Sequence, residues 1–317
     1  MDTNKKYDVL VVGELNVDII LYDIKKPIAL GKEIFSKDMV LTLGSSSAIL
    51  ANNLSVWGTK VAFLGKLGND VFSKTVLDTL EKSNVNTENI IVSNKSKTGA
   101  TIALSYGNER AMVTYPGAMS ELCQEDVSDE VLNKAKHLHV SSIFMQESLL
   151  DGVITLFKRA KKIGLTTSLD TQWDPFEKWN IDISELLPYV DIFLPNKEEF
   201  LEITKTKSIE EAYNSIKASS NLVVVKDSVN GSYLFSKEKS FHQPAFLMTD
   251  IIDAIGAGDS FNSGFLKEFI NNSSLETCMI EGTLSGAINT QGKGGTGAFS
   301  SLEKVVAKRD EIFNRKQ

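Results

Sequence analysis

The chain has 317 residues, of which 42% are hydrophobic and 24% are charged, a composition typical of a folded globular protein and not of a disordered or collagen-like chain. Its formal net charge of −7 argues against a nucleic-acid binder, because phosphate neutralisation needs a surplus of Lys and Arg. No run of about 18 apolar residues is present and the N-terminus lacks signal-peptide features, so we expect a cytoplasmic protein with no membrane partner.

Short, almost continuous apolar runs recur along the chain and are typical of strands buried on both faces of a parallel sheet. They cover residues 7–13, 61–65, 137–144, 166–170, 191–196 and 221–226. Helix-like stretches lie between most of them, at residues 70–83, 149–163 and 209–219. This alternation predicts an α/β fold in which a doubly wound, mostly parallel central sheet is flanked by helices.

Two segments interrupt the alternation. Residues 98–115 read as two strands around a turn at Gly107 and Asn108, and residues 15–43 contain another strand-rich stretch. Together they predict a small β-sheet that projects from the main sheet as a lid. Because no repeat or Pro/Gly-rich linker is present, we treat residues 1–317 as a single domain.

A Gly-rich turn directly precedes an acid in the segment IIDAIGAGDSF (251–261). Phe261, Phe265 and Phe269 then follow at a spacing of four, which lines one face of a helix, so the turn should lie at a helix N-terminus. Free backbone N–H groups and the helix dipole favour an anion there, and a phosphate would fit. The alternative is that Asp259 only caps the helix.

The segment DAIGAGDSFNSGF (253–265) closely resembles the C-terminal signature of the ribokinase-like (PfkB) carbohydrate kinases, D-T-x-G-A-G-D-x-F. Further segments resemble other family motifs and follow one another in the family's order. They are GELNVDI (13–19), a run similar to G-x-x-G-x-D-x-x-G at 64–87, the N-x-x-E motif at 196–199 and a Gly-rich segment at 292–299. The chain is therefore identified as a member of this family, with a ribokinase-like fold.

The resemblance implies an ATP-dependent kinase that phosphorylates a hydroxymethyl group of a small sugar. In this family the aspartate after G-A-G is the catalytic base, which assigns that role to Asp259. The resemblance also implies an anion hole in the turn that Gly256, Ala257 and Gly258 form, made by the backbone amides of Ala257, Gly258 and Asp259. A positioned carboxylate typically contributes about 10²–10⁴-fold to such a proton transfer.

Sugar contacts are implied first for Asn16 and Asp18, which follow the first strand and share one face through their i, i+2 spacing. Loop capping alone would also explain this pair. Arg110, on the lid hairpin, and Glu147, just after a strand, are further substrate candidates, although each is more often a solvated charge.

A third group of sugar contacts is implied at Gly44, Ser45 and Ser46, which occupy the place of the family's G-G-x-x-x-N element. Ser45 replaces the second Gly and Ile49 replaces the Asn. The family's substrate rules therefore transfer poorly to this chain. Serine caps at a helix N-terminus would explain the same segment.

Nucleotide contacts are implied by VVVKDSVNGSYLF (223–235), which resembles the family's nucleotide-binding strand and loop. Adenine would lie between this loop and the helix that contains residues 282–288. The implied contacts are Asn196, Lys226, Ser228, Gly231, Gly282 and Ser285. The family's D-x-N-x-R region, at 168–179, has Gln172 in place of the Asn and lacks the Arg.

Metal sites are implied at two places. Asn196 and Glu199 carry the N-x-x-E motif and would act on Mg²⁺ through water, since hard oxygen ligands suit this ion; read alone, the pair is a helix cap. Resemblance alone suggests that Asp253, the carbonyl of Ile255 and the loop near residues 292–295 could bind a monovalent cation such as K⁺.

Other functions remain open within and outside this fold. A nucleoside, vitamin or sugar-phosphate kinase is the nearest alternative, and the last would need a basic cluster, for which Lys66, Lys97 and Arg110 are candidates. A catalytically silent regulator that binds sugar or nucleotide is an alternative of another class, although the intact GAGD sequence argues against it. Similar kinases commonly pair lid to lid, so we expect a homodimer.

Overall fold

The computed structural model describes residues 5–107 and 109–315; Asn108, in the predicted lid turn, lies outside them. The strands are β1 (Tyr7–Val12), β2 (Asn16–Tyr22), β3 (Asp38–Leu43), β4 (Val61–Leu64), β5 (Lys66–Leu67), β6 (Ile91–Val92), β7 (Gly99–Tyr106), β8 (Glu109–Tyr115), β9 (Ala135–Ser141), β10 (Thr166–Asp170), β11 (Ile192–Phe193), β12 (Leu222–Lys226), β13 (Ser232–Phe235) and β14 (Ser240–Gln243). The helices are α1 (Ser46–Val56), α2 (Val71–Lys82), α3 (Asp129–Asn133), α4 (Glu147–Leu150), α5 (Val153–Ile163), α6 (Ile183–Leu186), α7 (Lys197–Thr204), α8 (Ile209–Ile216), α9 (Ala257–Ile270), α10 (Leu275–Asn289) and α11 (Leu302–Asn314).

The main sheet of the described residues has the strand order β14-β13-β12-β11-β10-β9-β1-β4. In this order the six strands β12, β11, β10, β9, β1 and β4 run parallel to one another. β13 and β14 are added antiparallel at the edge next to β12. The six apolar runs of the sequence all become strands of the parallel part. Because the carboxyl ends of parallel strands meet at one edge of a sheet, the residues that follow β1, β10, β11 and β12 are brought together there.

Both faces of the main sheet are covered, as the continuous apolar runs predict. On one face, Leu10 and Val12 of β1 belong to a buried cluster with side chains of α5 and α8. On the other face, Val9 and Val11 belong to a second cluster with side chains of α1, α2 and α9. Successive residues of a strand point to opposite faces, so each strand contributes to both cores.

The small sheet predicted from the two interrupting segments has the order β3-β2-β7-β8. β2 pairs antiparallel with β3 and parallel with β7, and β7 and β8 form the predicted hairpin. Asn16, Asp18 and Thr101 lie on its inner face, and the register places Leu41, Ile19, Ile102 and Val113 in one row across its outer face. The inner face thus carries a polar group of side chains, whereas the outer face carries an apolar row.

One predicted helix is divided in the structure. The stretch 149–163 forms the end of α4 and all of α5, with Gly152 between them in a non-helical conformation. A Cβ built on Gly152 would lie 2.3 Å from Cγ of Gln124, so the break also lets another segment approach closely. Across residues 5–107 and 109–315, no helix combines the length and the apolar character that a bilayer span requires.

Candidate active site

The Gly-rich turn leads directly into α9, as the sequence predicts. Gly256 is the N-cap residue, with φ of 76°, and a Cβ built on it would lie 2.6 Å from Cα of Gly295. Both the left-handed conformation and the close approach therefore require glycine. Within the described chain no carbonyl accepts from the amides of Gly258 and Asp259, whereas the amide of Ala257 donates to the carbonyl of Ala254 at 3.3 Å. The first turn of α9 thus presents free N–H donors.

Asp259, the third residue of α9, does not cap the helix, because no side chain makes a capping hydrogen bond there. The residue is 6% exposed and lines a cavity. Gln172 Nε2 donates to Asp259 Oδ1 at 3.2 Å. Burial and the neighbouring carboxylate of Asp170 raise the pKa of Asp259 to about 7, although Lys226 opposes this shift. The group is therefore a base with a pKa close to neutral.

A buried polar cluster lies beside Asp259 at the ends of β10 and β12. Lys226 Nζ lies 2.6 Å from Asp170 Oδ2 and donates to Asn262 Oδ1 at 3.3 Å. Asn262 Nδ2 and Gln172 Nε2 also donate to Asp170 Oδ2, at 2.5 and 3.2 Å. The cluster connects two strand ends with α9, because Gln172 contacts the carboxylates of both Asp170 and Asp259.

The cavity beside this cluster has a volume of about 500 Å³, within the range of small-molecule sites. The implied nucleotide residues Asn196, Lys226, Ser228 and Gly231 line it. The turn and Arg110 line it as well, as do apolar residues that the sequence analysis did not single out: Val229, Phe246, Leu247, Met248, Ile251, Phe261 and Ala287. One cavity thus combines anion donors, a carboxylate and apolar walls.

Asn16 and Asp18 lie buried on the inner face of the small sheet. Asn16 Nδ2 donates to Asp18 Oδ1 at 3.2 Å and to Thr101 Oγ1 at 3.0 Å. Burial raises the pKa of Asp18 to about 7, and the charge of Asp259 adds to this rise. A Cβ on Gly44 would lie 2.2 Å from Asp18 Oδ1, so glycine is needed there for close packing. These residues form a polar surface near the candidate base.

Ser45 and Ser46 lie at the start of α1, with Ser45 as the N-cap residue. Ser45 Oγ accepts from the amide of Ala48 at 3.0 Å and donates to the carbonyl of Glu14 at 2.5 Å. Hydrogen bonding from the Ser46 side chain favours the ionised form of Asp259 and so counters the rise of its pKa. Ile49, which replaces the family's Asn, packs against Gly295. A Cβ built on Gly295 would lie 2.3 Å from Ile49 Cδ1.

Asn196 and Glu199 form a complete capping box at the start of α7: Asn196 Oδ1 accepts from the Glu199 amide at 2.9 Å, and Glu199 Oε2 accepts from the Asn196 amide at 3.0 Å. Asn196 lines the cavity, whereas Glu199 is buried behind it. Burial and the charge of Asp170 raise the pKa of Glu199. A divalent cation at the cavity would offset the negative charge of Glu199 and Asp170. The side-chain oxygen of Asn196 suits a Mg²⁺ ion that keeps most of its waters.

Asp253 and Ile255 already have hydrogen-bond partners. Asp253 Oδ2 accepts from the hydroxyl of Tyr22 at 2.6 Å and from the amide of Gly294 at 3.0 Å. The carbonyl of Ile255 accepts from Asn289 Nδ2 at 2.6 Å. These contacts join the loop before α9 to the small sheet and to α10. The monovalent cation site stays a prediction.

The implied nucleotide residues Gly282 and Ser285 and the implied substrate residue Glu147 lie away from the cavity. Gly282 and Ser285 face α9: a Cβ on Gly282 would lie 3.1 Å from Phe261, and one on Gly264 would lie 2.2 Å from Ser285 Oγ. Thr283, Gly286 and Ala287 of the same helix line the cavity instead. Glu147 is exposed at the start of α4.

Sequence reasoning missed Glu14 and the roles of Asp170 and Asn262. Glu14 is buried, and it accepts hydrogen bonds from the hydroxyl and, at 3.2 Å, the amide of Ser47. Burial raises the pKa of Glu14, and its charge raises that of Asp259. Glu14 and Asp170 could have been found by position, because an acid at the carboxyl end of an apolar strand marks the binding edge of a parallel sheet.

Comparison with known protein families gives a match over nearly the whole chain. Residues 6–301 match the model described as pfkB family carbohydrate kinase. A protein from Halalkalibacterium halodurans named 5-dehydro-2-deoxygluconokinase is 25% identical over 99% of this chain and 98% of its own length. A protein of the same name from Bacillus subtilis is 26% identical over 95% of each chain.

Solved structures show the same fold. A ribokinase from Arabidopsis thaliana complexed with ribose and ATP superimposes with a TM-score of 0.81 at 22% identity, covering 96% of this chain and 98% of that one. A putative ribokinase II from E. coli in complex with ATP and Mg²⁺ gives a TM-score of 0.83 at 20% identity, covering 98% and 99%. These similarities confirm the predicted ribokinase-like fold class.

Proposed function

Because the chain belongs to the pfkB family of carbohydrate kinases, we propose that it transfers the γ-phosphoryl group of ATP to a hydroxymethyl group of a small sugar or sugar acid. The observation that carries this proposal is the position of Asp259. Its buried carboxylate lies in the first turn of α9, beside the free amides of Gly258 and Asp259. Base and anion donors therefore lie within one turn of backbone.

In the proposed mechanism, Asp259 accepts the proton of the acceptor hydroxyl while that oxygen attacks the γ-phosphorus. The P–O bond to the β-phosphate breaks, and ADP leaves. The amides of Gly258 and Asp259 offset negative charge on the phosphoryl oxygens. Asn196, with Glu199 behind it, would hold Mg²⁺ through water, and the ion would supply charge neutralisation for the phosphates.

For the acceptor, we propose 5-dehydro-2-deoxygluconate as the first compound to test, since the relatives carry that name. Arg110 supports an acid as acceptor, because it lines the cavity and its charge acts on Asp18. A sugar phosphate is less well supported. Lys66 pairs instead with Asp126, at 2.7 Å, and Lys97 is exposed and does not line the cavity.

The proposed reaction is tested by Asp259→Asn, which keeps the size of the side chain and removes the base. We expect kcat to fall about 10²–10⁴-fold, while the dissociation constants of ADP and acceptor stay within about threefold. ADP release is measured with MgATP and a panel of 5-dehydro-2-deoxygluconate, ribose, fructose and adenosine.

The matched control is Asp250→Asn, because Asp250 is exposed and precedes the Gly-rich turn without lining the cavity. We expect this variant to keep the wild-type kcat, and an unchanged kcat in Asp259→Asn would refute the assignment of the base. A wild-type protein that binds ADP but releases none with any acceptor would contradict the proposed reaction and favour the silent regulator. A preference for adenosine would favour the nucleoside kinase.

We also propose that two copies of the chain pair through the outer face of the small sheet. Met39, Leu41, Ile102, Val113 and Tyr115 on that face are between 44% and 68% exposed. Adjacent apolar side chains of this kind usually mark an interaction surface. A second copy would cover the same surface on its partner, as a twofold axis requires. A requirement for K⁺ and a cytoplasmic location stay predictions.

A further inference from the structure

Within the described residues, one N–H donor of the Lys226 ammonium group has no hydrogen-bond acceptor, and it lies beside the cavity. It ends β12, is 9% exposed and lines the cavity. Its ammonium group carries three N–H donors. Contacts to Asp170 Oδ2 at 2.6 Å and Asn262 Oδ1 at 3.3 Å use two of them. In the part of the chain that the structure describes, the third has no hydrogen-bond acceptor and is left for a ligand.

The side chain of Lys226 also lies against the anion-binding turn. A Cβ built on Gly258 would lie 3.7 Å from Lys226 Nζ and 3.9 Å from its Cε. The ammonium group therefore lies beside the residue whose free amide belongs to the first turn of α9. A fixed positive charge and backbone donors converge on one place, as stabilisation of a transferring phosphoryl group requires.

We propose that Lys226 is a catalytic residue that contacts the phosphoryl group during its transfer, and that Asp170 is the residue that positions it. This inference rests on the proposed function. Lys226 gives up no proton: the acceptor oxygen forms its bond to phosphorus, the bond to the β-phosphate oxygen breaks, and Asp259 takes the hydroxyl proton. Lys226 contributes its charge as the phosphoryl oxygens pass between the two substrates.

Asp170 is suited to hold this lysine. It is fully buried, and its Oδ2 accepts hydrogen bonds from the side chains of Lys226, Asn262 and Gln172. The competing explanation is that Lys226 only neutralises a buried carboxylate, because an unpaired buried charge is costly. The two explanations differ in what happens when both charges are removed together.

The test compares Lys226→Met, Asp170→Asn and the double variant Lys226→Met/Asp170→Asn. If Lys226 is catalytic, the double variant should recover the Tm that Lys226→Met loses, while its kcat stays about 10²-fold or more below wild type. Asp170→Asn alone should lower kcat less. Lys197→Met removes an ammonium that pairs with Asp227 at 3.4 Å and does not line the cavity, so it is the matched control for charge loss.

Binding measurements keep this test separate from the identity of the acceptor. By calorimetry with Mg²⁺, Lys226→Met should weaken binding of a non-hydrolysable ATP analogue about tenfold or more, with ADP affinity within about twofold of wild type. Recovery of kcat in the double variant, or equal weakening of the analogue and ADP, would overturn the inference. If wild type binds the analogue but phosphorylates no acceptor, the proposed function fails while the phosphate contact can still be measured.

Discussion

The carboxylate of Asp259 is buried among other acids, which sets its strength as a base. Burial and Asp170 raise its pKa to about 7, Glu14 adds to the rise, and Lys226 opposes it. Asp259 in turn raises the pKa values of Asp18 and Glu199. A base with a pKa near the working pH accepts a proton more readily than a solvated aspartate does, yet stays largely ionised above neutrality.

The pH dependence of the rate follows from this pKa. Protonation of Asp259 removes the base, so kcat/KM should fall as the pH drops through about 7. In Asp170→Asn the neighbouring carboxylate charge is lost, which lowers the pKa of Asp259 and should move the acid limb to lower pH by roughly one unit. The measurement is kcat/KM across the acid and neutral range. Asp250→Asn should leave the acid limb of kcat/KM at its wild-type pH. A shift of that limb to higher pH in Asp170→Asn would contradict the assignment of Asp259 as the titrating base.

At the scale of an element, the start of α1 combines backbone strain with compensating contacts. Ser45 has φ of 72°, a conformation that favours glycine, and the related family motif has Gly at this position. The serine hydroxyl compensates because it accepts from the amide of Ala48 and donates to the carbonyl of Glu14. Two hydrogen bonds thus accompany an unfavourable backbone conformation.

Substitutions at Ser45 should separate these two effects. Ser45→Ala keeps the strain and loses the cap, so we expect the free energy of unfolding to fall by about 1–2 kcal/mol. Ser45→Gly loses the cap but relieves the strain, and its cost should be only a few tenths of a kcal/mol. Urea unfolding of both variants checks this order. Equal losses in the two variants would show that strain at this residue contributes nothing.

At the scale of the whole molecule, the small sheet joins the proposed substrate surface to the proposed dimer surface. Its inner face carries Asn16 and Asp18, whereas its outer face carries the exposed row that includes Ile102 and Val113. Pairing of two copies would cover the outer face and restrain the inner one. Assembly and substrate binding are therefore expected to be linked.

Val113→Lys should disrupt pairing, because it would bury a charge in an apolar interface. We expect a monomer by light scattering at concentrations where wild type is a dimer, with a raised KM for the acceptor. Val306→Lys makes the same change at an exposed valine on α11 and should leave the mass unchanged. A wild-type monomer at all concentrations, or an unchanged mass for Val113→Lys, would contradict the proposed pairing.

Much of the fold can be predicted because its signals are local. Apolar runs predict the parallel strands, and the spacing of Phe261, Phe265 and Phe269 predicts α9. The sequence signal is weaker where contacts between distant segments decide the outcome. Gln124, from a distant segment, packs closely against Gly152 at the break between α4 and α5, and the orientation of Gly282 and Ser285 depends on how α10 packs against α9.

The sequence by itself determined the fold class, the family and the turn that leads to Asp259, because apolar periodicity and short motifs depend only on residues that lie close together in the chain. Only the tertiary structure decided which charges surround that carboxylate. Asp170, Lys226 and Glu14 come from three different strand ends, and they meet because parallel strands place their carboxyl ends along one edge. Their mutual distances, and hence the raised pKa of Asp259, are properties of the folded chain.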